Sequence, residues 1–250
     1  MTNEQLYNTI FQRMSIRKYD MTPLAQDTLV KIQEFASSVK PLDESIKYEL
    51  SYLVTDDVKN LLPIKAPHYI CLYSEKKDGY LMNAGFLLQQ IDLFLSANDL
   101  GSCWLGMAKP SKDVIAVKNG LEFVIMLAFG NMKDQLHRID KLGFKRKSIT
   151  EITSINGLEE LLEPVRLAPS ASNSQPWFFS GNKNEIIVSR KKLNFIKAPI
   201  YKKMNQIDIG IALFHLVLSL DHQGKTATFD FNNIDVLSGY EFMVKVKVRE

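Results

Sequence analysis

Two segments constrain the fold more than any others. From Tyr80 to Asn98, and again from Ile207 to Leu220, apolar residues fill most positions instead of one face. A helix that is apolar nearly all round must be buried on most sides, in a protein core or in a membrane. The membrane alternative fails on polar interruptions: Gln89, Gln90 and Asp92 break the first segment, and His215 and Ser219 the second. The chain must therefore build a core around each helix. Its 250 residues, 46% hydrophobic and 24% charged, suffice for that.

Shorter elements surround these helices. Leu6, Ile10 and Phe11 place a first helix over Asn3 to Met14, and Thr22 reads as the N-cap of a second, with Pro23 at its first position. Strands are expected at Tyr48 to Val54 and His68 to Tyr73, separated by a loop containing Pro63 and Pro67. Leu121 to Phe129 is a continuous apolar strand suited to a sheet centre, and Lys133 to Lys147 is a basic connection. Further on, Asn156 and Glu159 read as a capping box for a helix carrying Leu158, Leu161, Leu162 and Val165, kinked at Pro164. Strands at Trp177 to Phe179 and Glu185 to Ser189, a loop containing Pro199 and a closing strand at Phe242 to Val248 complete the order.

That order runs twice. Arg13-Met14-Ser15-Ile16 corresponds to Arg146-Lys147-Ser148-Ile149 at an offset of 133 (146 − 13), and Ser37 to Ser170 and Leu29 to Leu162 fall on the same offset. A repeat longer than a solenoid unit points to duplication of a whole domain, with halves at 1–144 and 145–250 packed together.

Charge and cysteine content narrow the function. A formal charge of +3 is too small for a nucleic-acid footprint. Cys71 and Cys103 lie far apart, which supports neither a disulfide framework nor a metal site and fits a reducing, cytoplasmic location. His68, His137, His215 and His222 show no ligand spacing and read as structural. No apolar signal core follows the start of the chain, and no partner membrane is indicated.

Three motifs carry chemistry. Arg13, Ser15 and Arg17 alternate, so in an extended backbone they point to one side, as a phosphate clamp would. Lys145, Arg146 and Lys147 could close on the same anion, although either cluster alone also suits a solvated basic edge. In Leu100-Gly101-Ser102-Cys103-Trp104-Leu105-Gly106-Met107 the glycines permit close backbone approach to a planar ligand, whereas Trp104 and Met107 read as core. The third motif is Ala168-Pro169-Ser170-Ala171-Ser172-Asn173-Ser174-Gln175-Pro176-Trp177. Its prolines stiffen a loop whose amides and hydroxyls suit the edge of a flat heteroaromatic, and equally a polar surface turn.

Taken together, R-x-S-x-R-x-Y, L-G-S-C-W-L-G and A-P-S-A-S-N-S-Q-P-W resemble the motifs of the nitroreductase family of flavin enzymes, in that family's order. The resemblance implies an α+β fold with FMN between two halves, here fused as a pseudo-dimer in a single monomeric chain. Arg13, Ser15 and Arg17 would hold the FMN phosphate and ribityl chain, with Lys145 and Lys147 completing the phosphate site. Pro169, Ser170, Ala171, Ser172 and Asn173 would lie against the ring with Gln175 nearby, and Gly106 N–H would face flavin N5 beside Leu105.

Phe35 to Pro41 lacks the polar loop and Gln223 to Thr228 lacks the glycine segment, so one FMN per chain is expected. Lys145 to Ser148 either closes the phosphate site or is a decayed copy of Arg13 to Ile16. The implied reaction passes hydride from NAD(P)H to a small planar acceptor such as a nitroaromatic or quinone. No protein catalytic acid or base and no metal is implied. A flavin carrier or sensor with little turnover, and a dehydrogenase or dehalogenase of the same fold, stay open. An acceptor pocket is expected near Asp43 to Ser51 and Tyr201 to Asn205.

Overall fold

The computed structural model describes residues 1–111, 117–133, 135–193 and 198–250. Along the chain run α1 (Asn3–Ile10), α2 (Gln26–Ser38), β1 (Tyr48–Val54), β2 (Val58–Asn60), β3 (His68–Ser74), α3 (Tyr80–Ala97), β4 (Gly101–Leu105), β5 (Ala108–Pro110), β6 (Val117–Lys118) and β7 (Leu121–Gly130). They continue with α4 (Ile149–Ile152), α5 (Glu159–Arg166), β8 (Trp177–Gly181), β9 (Glu185–Lys191), α6 (Ala198–His222), β10 (Thr226–Asp230) and β11 (Tyr240–Arg249). Two compact units result: residues 12–141, and residues 1–11 with 142–250.

In the 12–141 unit the strand order is β1-β3-β7-β4, with β6 also on β7, and every pairing is antiparallel. The apolar run of β7 is central because it has partners on both edges: Leu127 faces Ile70 on one side and Trp104 on the other. Helix α3 packs on β3, β4 and β7 and is buried from Leu81 to Ser96.

Two of its polar residues, Asn83 and Gln90, bind backbone. Asn83 Oδ1 accepts from Leu42 N–H (2.7 Å) and Asp43 N–H (3.2 Å), while Gln90 accepts from Lys40 N–H (3.1 Å) and donates to Lys40 O (2.7 Å). A buried amide must find such partners or lose the cost of its desolvation.

The second unit carries an antiparallel sheet, β10-β11-β9-β8. Helix α6, 25 residues long, packs on α1, α5 and three strands. Its polar interruptions work in the same way: Ser219 Oγ donates to Leu161 O (2.8 Å) and His215 Nδ1 lies 2.8 Å from Pro164 O. Residues 1–11 belong here because α1 buries Leu6 and Ile10 and packs on α6. Both free cysteines are buried, and all four histidines have structural partners: Leu24 N–H, Ser96 O, Pro164 O and Glu4.

Several boundaries differ from the sequence expectation. Helix α1 ends at Ile10, not Met14, because Arg13 and Ser15 are drawn into bridges with His137 and Ser102. Thr22 does not cap α2. Its N–H and hydroxyl both turn back to Asp20 Oδ1, Leu24 N–H goes to His68 Nε2 (2.9 Å), and the helix opens at Gln26.

Asn156 does not cap α5 either, which continues through Pro164 to Arg166. The reciprocal cap belongs to α4, where Glu151 Oε2 accepts from Ser148 N–H at 2.8 Å. Pro199 lies in the first turn of α6, where a missing N–H costs little, so that helix opens at Ala198 instead of Ile207. Residues 194–197 of the expected loop, and residue 134 of the basic connection, lie outside the described residues. Strand β10 occupies the segment from Thr226 that had no assignment. No helix among the described residues is long and apolar enough to cross a membrane.

Gly101 has a packing role: a Cβ there would meet Ile16 Cβ and Cγ2 at 2.9 Å. Gly101→Ala is expected to destabilise the chain by about 1–3 kcal/mol through overpacking. A lowered urea midpoint with an unchanged m-value would record it.

Candidate functional site

The R-x-S-x-R segment lies along β4 in the 12–141 unit. Ile16 N–H donates to Ser102 O at 2.8 Å, and Ser15 pairs with Ser102 in parallel. Arg13 is drawn inward. Its side chain is 4% exposed, with Nε 2.6 Å from Asp92 Oδ2 and Nη2 3.0 Å from Oδ1, which also accepts from Ser102 Oγ (2.5 Å). Two side-chain donors thus satisfy the one carboxylate in α3. Breaking such a buried pair from one side is far costlier than its net contribution suggests.

Arg138 joins this cluster. Its Nη1 donates to Arg13 O and its N–H to Gln12 O. Burial first, then the charges of Arg13 and Arg17, push its pKa down to about 10. Three guanidiniums thus lie within electrostatic reach of one another, and Arg17 and Ser15 are not buried. An anion here would offset the burial and, after it, the repulsion that lower Arg138. Leu105 is buried at the end of β4, and Gly106 and Met107 form an exposed turn into β5. Met107, expected in the core, is 54% exposed, since only its carbonyl is held, by Leu61 N–H.

The polar loop belongs to the other unit. Pro169, Pro176 and Trp177 are buried at its ends. Between them Ser172, Asn173 and Gln175 adopt positive φ (50°, 55° and 46°), unusual for side-chain-bearing residues and sustained only when the surroundings over-determine it.

Those surroundings are on hand. Arg146 donates to Leu167 O, Ala168 O and Phe144 O and to Asn173 Oδ1 (2.6 Å). Asn173 Nδ2 donates to Lys145 O, and Gln175 Oε1 accepts from Lys147 N–H (2.8 Å). Lys147 Nζ donates to Gln175 O (2.8 Å), and burial first and Lys191 second lower its pKa. From beneath, Asp208 of α6 accepts from Ala171 N–H at 3.0 Å.

The amides of Asn173 and Gln175 thus brace the loop. Ser172 and Asn173 are exposed, Ser170 and Ala171 half-buried, and Lys145 is exposed too; Ser170 Oγ accepts from Gln175 N–H at 2.9 Å. Sequence reasoning missed Arg138 and Asp208 as contributors, and it read Arg146 as part of a cluster closing on an anion, whereas its guanidinium binds the loop. A charge within an apolar helix was a readable signal for Asp208, as it was for Asp92. Among the described residues no group of His, Cys, Asp and Glu is arranged to hold a metal ion.

A family model described as "Putative TM nitroreductase" matches residues 5–220. Among solved structures, a "putative nitroreductase" of Thermotoga maritima superposes with a TM-score of 0.63 at 23% identity, covering 97% of this chain and 93% of that one. A nitroreductase family protein from Clostridium difficile 630 gives a TM-score of 0.46 at 16% identity, over 60% of this chain and 96% of that one. An FMN-dependent nitroreductase from Clostridium difficile R20291 gives 0.44 at 18%, over 58% and 95%. No curated protein matches.

Two substitutions separate the site's supports. Asp92→Ala, which strands the Arg13 charge, is expected to destabilise by about 3–5 kcal/mol in chemical denaturation. Arg146→Ala should cost about 1–3 kcal/mol, and its signature is local: faster hydrogen exchange at the Asn173 and Ser174 amides.

Proposed function

The chain belongs to the TM nitroreductase family, and from that premise we propose that it is an FMN-dependent oxidoreductase. Its reaction would carry hydride from NAD(P)H to a small planar acceptor such as a nitroaromatic or quinone. The observation that carries this reading is the cluster of Arg13, Arg17 and Arg138 at the R-x-S-x-R segment, a cationic site whose electrostatics an anion such as the FMN phosphate would relieve. When bound, FMN supplies the two-electron chemistry, and the protein supplies placement and electrostatics.

The roles assigned within such a site follow the motifs. Arg17, Arg138 and Ser15 bind the phosphate end, and Arg13, fixed on Asp92, holds that segment in place while adding its charge. Lys145 adds a cation. Pro169, Ser170, Ala171 and Ser172 lie against the ring, on a loop braced by Asn173, Gln175 and Lys147. Gly106, on an exposed turn after Leu105, offers its backbone N–H toward N5.

The polar loop motif occurs once in the sequence, which supports one FMN per chain.

Titration of the purified protein with FMN tests the reading directly, since no uptake would remove it. Arg17→Ala and Arg138→Ala should each weaken FMN by about tenfold to a hundredfold, the loss of a charge-assisted contact of about 1.5–3 kcal/mol. Anaerobic NAD(P)H should bleach the bound flavin within a turnover time, whereas slow bleaching would mark a carrier.

A further inference from the structure

Asp208 is 3% exposed on α6, and its surroundings hold two hydrogen-bonding groups of the polar loop: Ala171 N–H, at 3.0 Å from Oδ1, and the Ser174 hydroxyl. Few positions in the chain are so committed. The loop above it runs through three left-handed residues, a conformation held only while its supports are intact.

We propose that Asp208 is the positioning residue of the 168–177 loop: its carboxyl, carrying a proton, holds Ala171 and Ser174 down, and its ionisation releases them. This rests on the flavin reading only for its consequence, that the loop's ring-binding conformation is linked to a proton.

The chemistry is local. A neutral carboxyl can accept from Ala171 N–H with one oxygen and donate to Ser174 Oγ with the other, leaving no net charge in a dry site. An ionised one is favoured by the Ala171 N–H and by the Ser174 hydroxyl nearby, but it loses its hydration, and that loss is the larger effect. Burial pushes the pKa of Asp208 up to about 8, with the Ala171 N–H and Ser174 contacts opposing.

Charged groups on neighbouring elements are engaged elsewhere. Arg190 of β9 pairs with Glu241 and donates to Lys202 O. Arg146 and Lys147 are bound to loop carbonyls, and Glu163 and Arg166 of α5 pair with each other. None of them acts on the Asp208 proton. Because the folded-state value is raised, the stability contributed by the protonated group is fully present below the ordinary carboxylate range. It is lost as pH rises through about 8.

The test is amide hydrogen exchange at residues 170–175 of the FMN-free protein across about pH 6 to pH 9, corrected for intrinsic rates. Wild-type protection should fall as pH rises toward about 8 and level off above it. In Asp208→Asn, whose amide reproduces the protonated carboxyl, it should stay flat. In Asp208→Ala it should be low throughout, and Ser174→Ala should move the wild-type midpoint to higher pH.

FMN titrated over the same range should bind wild type progressively more weakly up to about pH 8, by at most about tenfold per pH unit, and Asp208→Asn evenly. Constant wild-type protection, or an Asp208→Asn profile that follows wild type, would overturn the proposal. A pH-dependent loop in a protein that takes up no FMN at any pH would leave Asp208 in this role and remove the flavin reading instead.

Discussion

A single carboxylate inside an apolar helix governs the 12–141 unit. Asp92 sits where α3 offers it no water, so it must be met by donors from outside the helix, and Arg13 and Ser102 meet it. To reach Asp92, the chain after α1 leaves the helical path and runs extended beside β4. That path fixes the position of Ser15 and Arg17 and gives Arg138 a carbonyl to bind. The buried ion pair adds little net stability in such a setting, and its effect is positional: it decides which backbone lies where.

The polar loop obeys a related constraint in the other unit. Its side chains look outward-facing by composition, yet most of its hydrogen-bonding capacity is spent within itself and on Arg146, Lys147 and Asp208. Three residues in left-handed backbone make that necessary, because without dense cross-linking such a loop would relax. What remains for a ligand is a small, rigid set of hydroxyl and backbone groups. Preorganisation of this kind lowers the entropic cost of binding.

The sequence disclosed the elements better than their ends. The apolar runs of α3, α6 and β7 are dictated by burial alone, and they stand where periodicity put them. Boundaries failed where a tertiary partner outbid a local signal: Asp20 claimed Thr22, and the bridges of Arg13 and Ser15 ended α1 early. Of the candidate site, the motifs were visible, but the division of labour within them was not. Arg13 and Arg17 read alike in one dimension, and only the placement of Asp92 makes one a buried strut and the other exposed. Arg138 carries no local signature, because its role comes from a carbonyl 125 residues away in sequence.

The placement of α1 has a bearing on how the chain comes to be folded. Its Tyr7 ring stacks on His222 at 3.9 Å, and Glu4 meets the same imidazole, at the far end of α6. Residues 12–141 hold their own core and, as synthesis proceeds from the N-terminus, have their partners to hand first. The residues made before them must wait, as an unpaired amphipathic segment, until α6 has been synthesised. In order of assembly, then, residues 1–11 find their place after the residues that follow them, and the second unit closes only when both of its separated pieces exist.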